Sequence, residues 1–215
     1  MITKNMFISS WSSLVPLGII NRTSSRRESQ TQLHNHLQWT YLSNLRDLTV
    51  RFIERSGRLT ERQSAYILEQ VVSVIVFLHS NSIIHGDIKD ENILIDDKLN
   101  IKLIDFGSSK IISYNDFQTR FQGTVNYVSP EILRGGYFSG QSNDIWCIGI
   151  LLNTMLTGQV PFASINDIRI LKRRTFKIKI SHEANDLMNI ILQADPSLRP
   201  KASAILSHDW FKKDL

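Results

Sequence analysis

A long and unusually apolar helix runs into a polar loop, a short hairpin and a second polar loop, and this succession limits the chain more than any other feature. Thr60-Glu61-Arg62-Gln63 is a capping box, with Thr at the N-cap and Gln at N3. It opens a helix predicted over Glu61–Ser80. Ile67, Leu68, Val71, Val72, Ile75 and Leu78 recur at helical spacing, and Val74, Val76 and Phe77 widen the stripe. A stripe that broad needs neighbours on most sides, so the helix belongs inside a domain. Further on, Asn92–Ile95 and Asn100–Ile104 flank the polar turn Asp96-Asp97-Lys98 and read as a small hairpin.

The remaining segments point the same way. Asp144–Leu156 is a second, almost uniformly apolar helix with Gly158 as its C-cap. Further helices are expected over Glu183–Ala194, stopping before Pro196, and over Lys201–His208. From Leu45 onward the chain reads as mainly α-helical with small strand pieces, α+β overall. Residues 1–44 differ: rich in Ser, Thr, Asn and Gln and weakly periodic, they carry one acidic residue, Glu28, against four basic ones. Lys4 and Leu14–Ile20 trace the outline of a signal peptide, but Pro16 and Gly18 break its apolar core, so an irregular N-terminal stretch is expected instead. The uncharged run from Asn5 to Asn21 is too short and polar to span a membrane.

Composition narrows the function classes. A single cysteine, Cys147, excludes an intrachain disulfide and a cysteine-built zinc site, and fits a reducing compartment. The net charge of +5 is too mild to imply nucleic acid by itself. Lys172-Arg173-Arg174, with Lys177 and Lys179, reads as a solvated face; a nuclear signal or a surface for an acidic partner are the alternatives.

The polar loops carry the chemistry. His85-Gly86-Asp87-Ile88-Lys89-Asp90-Glu91-Asn92 lies between the long helix and the hairpin, and Asp105-Phe106-Gly107 follows the second strand, thirteen residues after Asn92. A hairpin thus returns a second Asp beside a loop that holds an Asp and an Asn. Phosphoryl transfer needs hard oxygen ligands for divalent cations and a carboxylate to orient the attacking hydroxyl. Asp105 and Asn92 would supply the metal oxygens, Asp87 would accept the hydroxyl proton, and Lys89 would neutralise charge on the moving phosphoryl group.

On these residues the chain resembles the eukaryotic protein kinases. His85–Asn92 is similar to the catalytic loop, Asp105–Gly107 to the metal-binding motif and Ser129-Pro130-Glu131 to the Ala-Pro-Glu motif. Asp144-Ile145-Trp146 resembles the opening of the central helix of the large lobe, and Gly123-Thr124 lies where the family places its substrate-docking loop. The finer resemblance is to the PIM and PAS-domain kinases of the calmodulin-kinase-like group, carried by Asp87–Leu94, Lys102–Ser108, Phe52-Ile53-Glu54-Arg55 and Ser207-His208-Asp209-Trp210. It implies a Ser/Thr kinase that uses ATP and Mg²⁺ and acts on protein substrates carrying Arg, with no nucleic acid or membrane partner. It also implies a cytoplasmic location, or a nuclear one if the Lys/Arg run acts as a signal. By the same resemblance Asp87 and Lys89 would take the catalytic roles, Asn92 and Asp105 would hold metal, and Leu94 would form the floor under adenine. Glu91 would bind a substrate Arg, and Thr124 would contact Asp87 and Lys89. His85, Phe106, Gly107, Glu131, Asp144 and Arg199 support the site, with Glu131 and Arg199 as a buried ion pair.

Two departures from that pattern matter. The usual Arg before the catalytic Asp is Gly86, which implies activity independent of a phosphate on the segment after Asp105. Before His85 the only glycines are Gly18 and Gly57, and before Lys89 the only lysine is Lys4. Neither a glycine-rich phosphate loop nor a small-lobe lysine is therefore expected. The resulting division is 1–44 as a degenerate small-lobe remnant or disordered segment, and 45–215 as the large lobe. The alternative to a kinase is a catalytically impaired kinase-like scaffold, a pseudokinase or fragment, that acts by binding proteins.

Overall fold

In a computed structural model the described residues are 46–48, 53–113 and 117–212. Residues 1–44, and with them the small-lobe reading, lie outside the described residues, as does Phe52. The elements in chain order are β1 (Arg46–Asp47), α1 (Glu54–Ser56), α2 (Glu61–Ser80), β2 (Ile83–Ile84), β3 (Ile93–Ile95), β4 (Ile101–Leu103) and β5 (Lys110–Ile111). They continue with α3 (Pro130–Arg134), α4 (Gly140–Thr157), α5 (Ile165–Arg169), α6 (His182–Ile191) and α7 (Ala202–Ile205). The architecture is mainly helical with small antiparallel sheets, which agrees with the expectation of an α+β helical lobe.

Helix α2 starts where its capping box requires. The Gln63 N–H donates to Thr60 Oγ1, and the Thr60 N–H donates to Gln63 Oε1. Its stripe from Ile67 to Leu78 is buried and packs against α4 and α7. Helix α4 is the centre of the lobe: every residue from Asn143 to Thr157 is buried. It begins at Gly140, four residues before the expected Asp144, because Ser139 is the N-cap and accepts from the Ser142 N–H. It ends at Gly158, whose φ of 76° no β-carbon tolerates well. A Cβ there would also lie 1.8 Å from the Gly57 carbonyl oxygen, so the C-terminal ends of α1 and α4 meet backbone to backbone.

Helix α6 runs over His182–Ile191 behind the N-cap Ser181, three residues shorter at its C-terminal end than expected. The last expected helix contracts to Ala202–Ile205, followed by a 3₁₀ turn at Asp209–Phe211. One carboxylate ties these ends together. Glu61 accepts from the Ser181 N–H (2.7 Å), the Ser181 hydroxyl (2.6 Å) and the Trp210 indole N–H (3.2 Å). Helices α3 and α5 were not expected; each is barely more than one turn, too short to show a period.

The expected hairpin is β3–β4, with Ile93 opposite Leu103 and Ile95 opposite Ile101. Strand β1 pairs with β3 on its other edge, and β2 pairs with β5, so both loops that flank the hairpin are held by strand pairing.

Candidate active site

The loop after β2 is fastened from below by α4. Asp144 is fully buried; its Oδ2 accepts from the His85 N–H (3.0 Å) and its Oδ1 from the Gly86 N–H (2.9 Å). His79, from the last turn of α2, places Nε2 2.9 Å from Asp144 Oδ2. The end of α2 and the loop that follows β2 are therefore both anchored on one carboxylate of α4, about sixty residues further along the chain. His85 is buried, its ring nitrogen 3.2 Å from the Ile104 carbonyl and its ring edge-on to Phe106 at 4.9 Å. Burial pushes the His85 imidazole below its ordinary value, against the raising effect of Asp144, so it sits neutral in the packing. Phe106 remains 41% exposed among the described residues.

Above this base, four side chains converge. Asp87 Oδ1 accepts from the Thr124 N–H and from its hydroxyl, both at 2.9 Å. Asp87 Oδ2 accepts from Asn92 Nδ2 (3.1 Å) and lies 3.0 Å from Lys89 Nζ. Lys89 Nζ also donates to Thr124 Oγ1 at 2.7 Å, which closes the cluster. Burial alone would raise the Asp87 carboxyl; hydrogen bonds from Lys89 and Thr124 outweigh it and hold the carboxyl below its ordinary value.

The Asn92 amide nitrogen is taken up by Asp87, with a further bond to the Asp87 carbonyl at 2.8 Å. Its amide oxygen is the atom left to accept. The Ile104 N–H donates to the Asn92 carbonyl (2.9 Å), and this draws Asp105 alongside. Asp105 is exposed, in the left-handed region at φ 60°, and accepts from the Gly107 N–H at 3.1 Å. Among the described residues no group of three His, Cys, Asp or Glu gathers as a metal site. Asn92 and Asp105 offer two hard oxygens, which suits Mg²⁺, since that ion commonly takes one or two protein ligands and fills its shell with phosphate and water. The donor set thus fits Mg²⁺–ATP.

The other expected residues fall around this cluster. Leu94 is half-buried on the opposite face of β3 from buried Ile93 and Ile95, and pairs across the hairpin with Lys102. Glu91 is exposed, and its carboxyl is raised by partial desolvation and then by the neighbouring Asp90 charge. Arg199 donates through both terminal nitrogens to the two oxygens of Glu131, at 2.7 and 2.6 Å. Cys147 is buried, and burial pushes its thiol well up.

Sequence reading missed three participants. Buried Asp90 accepts the Tyr127 hydroxyl, which ties the catalytic-type loop to the turn just after Thr124. His79 holds Asp144, as described above. Lys102 stands on the same hairpin face as Leu94, and burial lowers its amine. The alternation of β4 could have pointed to Lys102; the other two pairings are long-range and leave no local signature.

Gly86 accounts for the missing Arg. Its φ is 83°, and a Cβ there would sit 2.7 Å from the Ser108 carbonyl oxygen. A left-handed side-chain-bearing residue costs roughly 1–2 kcal/mol, and a backbone oxygen cannot swing aside as a side chain can. Gly86→Ala should therefore lower stability by about 2 kcal/mol or more in urea unfolding. A loss under about 0.5 kcal/mol, the size of an ordinary surface change, would show that the Ser108 turn yields freely.

A protein kinase domain profile matches residues 19–211. The chain is 34% identical over 169 residues to the SNF1-related protein kinase catalytic subunit alpha KIN12 of Arabidopsis thaliana, covering 76% of this chain and 34% of that protein. It is likewise 34% identical over 166 residues to the serine/threonine protein kinase OSK3 of Oryza sativa subsp. indica, covering 75% of this chain and 33% of that protein. The chain thus spans about a third of the length of the curated relatives it matches. With the profile covering most of its length and the loops arranged as above, this chain belongs to the protein kinase family.

Proposed function

We propose that this chain serves as a protein serine/threonine kinase, acting on Ser or Thr of proteins. The observation that carries the reading is the closed cluster of Asp87, Lys89, Asn92 and Thr124, with Asp105 brought beside it by the hairpin. Asn92 and Asp105 would hold Mg²⁺ on ATP, which would supply the phosphoryl group. Asp87 is ionised and oriented by its donors, so it can fix the substrate hydroxyl and take its proton. Lys89 is held by Asp87 and Thr124 where it can offset negative charge at the reacting centre. Leu94 provides an apolar floor for adenine. Glu91 is exposed beside the site and can bind a substrate guanidinium through two oxygens, which supports a preference for Arg-containing substrates.

Finer points belong to the same proposal. The PIM and PAS-kinase resemblance rests on Asp87–Leu94 and Lys102–Ser108, whereas the relatives named above are an SNF1-related kinase and the kinase OSK3. The division into a small-lobe remnant over 1–44 and a large lobe over 45–215, and a cytoplasmic location, complete the reading.

Equilibrium binding of ATP tests the reading directly. The full chain should bind ATP in a Mg²⁺-dependent manner, and Asp105→Ala should abolish that dependence. Absence of binding, or binding indifferent to Asp105→Ala, would overturn the catalytic reading. Ser113→Ala with Thr119→Ala should leave phosphoryl transfer to a Ser peptide within about threefold, because Gly86 offers no cation to read a phosphate there. Loss of transfer in that variant would overturn the phosphate independence.

A further inference from the structure

Within residues 45–215 the excess positive charge is concentrated in one run. Arg169, Lys172, Arg173, Arg174, Lys177 and Lys179 lie in a run with no acidic residue between Asp167 and Glu183. The whole chain carries +5 and this run +6, which leaves −1 for everything else. Residues 1–44 carry a further +3, so the rest of residues 45–215 is net −4 and the run is the cationic segment of an otherwise acidic lobe.

The structure gives that segment a defined course. It leaves α5 as an irregular strip, pinned by the Lys172 N–H on the Asp167 carbonyl (2.8 Å) and the Arg174 N–H on the Pro161 carbonyl (2.7 Å). None of the six cations is ion-paired among the described residues. The Arg174 guanidinium donates to the neutral Gln159 amide oxygen, at 2.8 Å. Lys172, Lys177 and Lys179 are exposed, and Arg173 is half-buried. Burial pushes the Arg173 guanidinium down, with no carboxylate to offset the cost. Within the run Ile170 is 62% exposed, so the strip offers an apolar contact among its charges.

Its position limits what can use it. Helix α5 packs on α3, the helix that follows the Thr124–Tyr127 turn beside Asp87. The strip therefore begins one packed helix away from the turn that carries Thr124. We propose that residues 169–179 form a docking surface for an acidic protein segment that interleaves carboxylates with apolar side chains. Opposite charge gives such a segment its attraction, and Ile170 gives it a reason to be a protein rather than any polyanion. The one aromatic within the run, Phe176, is half-buried and so offers bases a poorer stacking platform than an exposed ring would.

The test needs no catalysis, so its failure is separable from failure of the kinase reading. Fluorescence anisotropy would follow a labelled Glu/Leu peptide binding to the full chain, with a Gln/Leu peptide as control. The Gln/Leu peptide should bind at least about tenfold more weakly, and 0.5 M salt should weaken the Glu/Leu peptide by about as much. Lys172→Gln/Lys177→Gln/Lys179→Gln should likewise cost about tenfold or more, with an unchanged melting curve. Ile170→Ser should weaken the Glu/Leu peptide by about fivefold while leaving single-stranded DNA and phosphatidylserine vesicles unaffected. Affinity unchanged in the triple variant would overturn the proposal. So would Ile170→Ser having no effect, or lowering all three probes equally, because the strip would then be an undiscriminating polyanion face.

Discussion

Asp87→Asn should lower phosphoryl transfer from ATP to a Ser peptide by about a thousandfold, within the range that a positioned general base contributes. Two losses combine. The amide cannot take the hydroxyl proton, and it cannot satisfy its neighbours. Asp87 accepts from four donor groups: the Thr124 N–H, the Thr124 hydroxyl, Asn92 Nδ2 and Lys89 Nζ. An Asn at this position has one oxygen and one NH₂. Whichever way it turns, the NH₂ faces donors, either Thr124 or the Asn92–Lys89 side. The Lys89 ammonium also loses its counter-charge. Mg²⁺-dependent ATP binding should survive, because Asn92 and Asp105 retain their oxygens, so the defect should fall on kcat rather than on KM for ATP. A variant retaining more than a tenth of the wild-type rate would remove Asp87 from the reaction.

The same carboxylate sets a pH dependence of defined sign. Its hydrogen bonds depress the folded-state pKa below the ordinary 3.8. The stability it contributes is therefore complete above that value and is lost as pH falls below it, through the depressed folded-state pKa. The stability difference between wild type and Asp87→Asn should be constant from pH 5 to pH 7 and narrow only below about pH 4.

Local signals made the main elements legible in the sequence. Thr60 and Gln63 form a cap that needs only four consecutive residues, so the start of α2 could be read directly. The apolar pattern of α4 begins four residues after the helix does, because Gly140, Gln141 and Ser142 carry no apolar signal and the start is marked by the Ser139 cap instead. Helices α3 and α5 are held by tertiary contact with each other more than by any pattern of their own. The candidate site divides in the same way. Asp87, Lys89, Asn92 and Asp105 lie in two short motifs, and a motif can be read without a fold. The pairs His79–Asp144, Asp90–Tyr127 and Glu61–Trp210 join residues 65, 37 and 149 positions apart. Which polar partner each finds is decided only when α2, α4 and the C-terminal turn pack, so nothing local announces them.

The buried pair Glu131–Arg199 yields the largest expected effect on stability. The Arg199 side chain is 1% exposed, and its guanidinium lies 5.0 Å from the centre of the Trp146 ring. Its other polar contacts are neutral: the Gln193 carbonyl from Nε and the Ser142 carbonyl from a terminal nitrogen. Glu131→Ala therefore leaves a desolvated cation with dipoles but no charge to answer it, a change that costs roughly 3–5 kcal/mol. In a domain of this size that corresponds to a fall of about 10 °C or more in Tm. Glu131→Gln keeps one acceptor oxygen for the guanidinium and should cost less than Glu131→Ala. Arg199→Met should also be milder than Glu131→Ala, since Glu131 is less deeply buried than Arg199 and can hydrate in its absence. The effect should reach the site, because Glu131 sits in the first turn of α3, immediately downstream of the Thr124–Tyr127 turn. Loosening α3 weakens the hold of Thr124 on Asp87, so Glu131→Ala should lose transfer activity at temperatures below its own melting transition. A stability loss under about 1 kcal/mol would show that Arg199 is hydrated and that the pair does not organise the lobe.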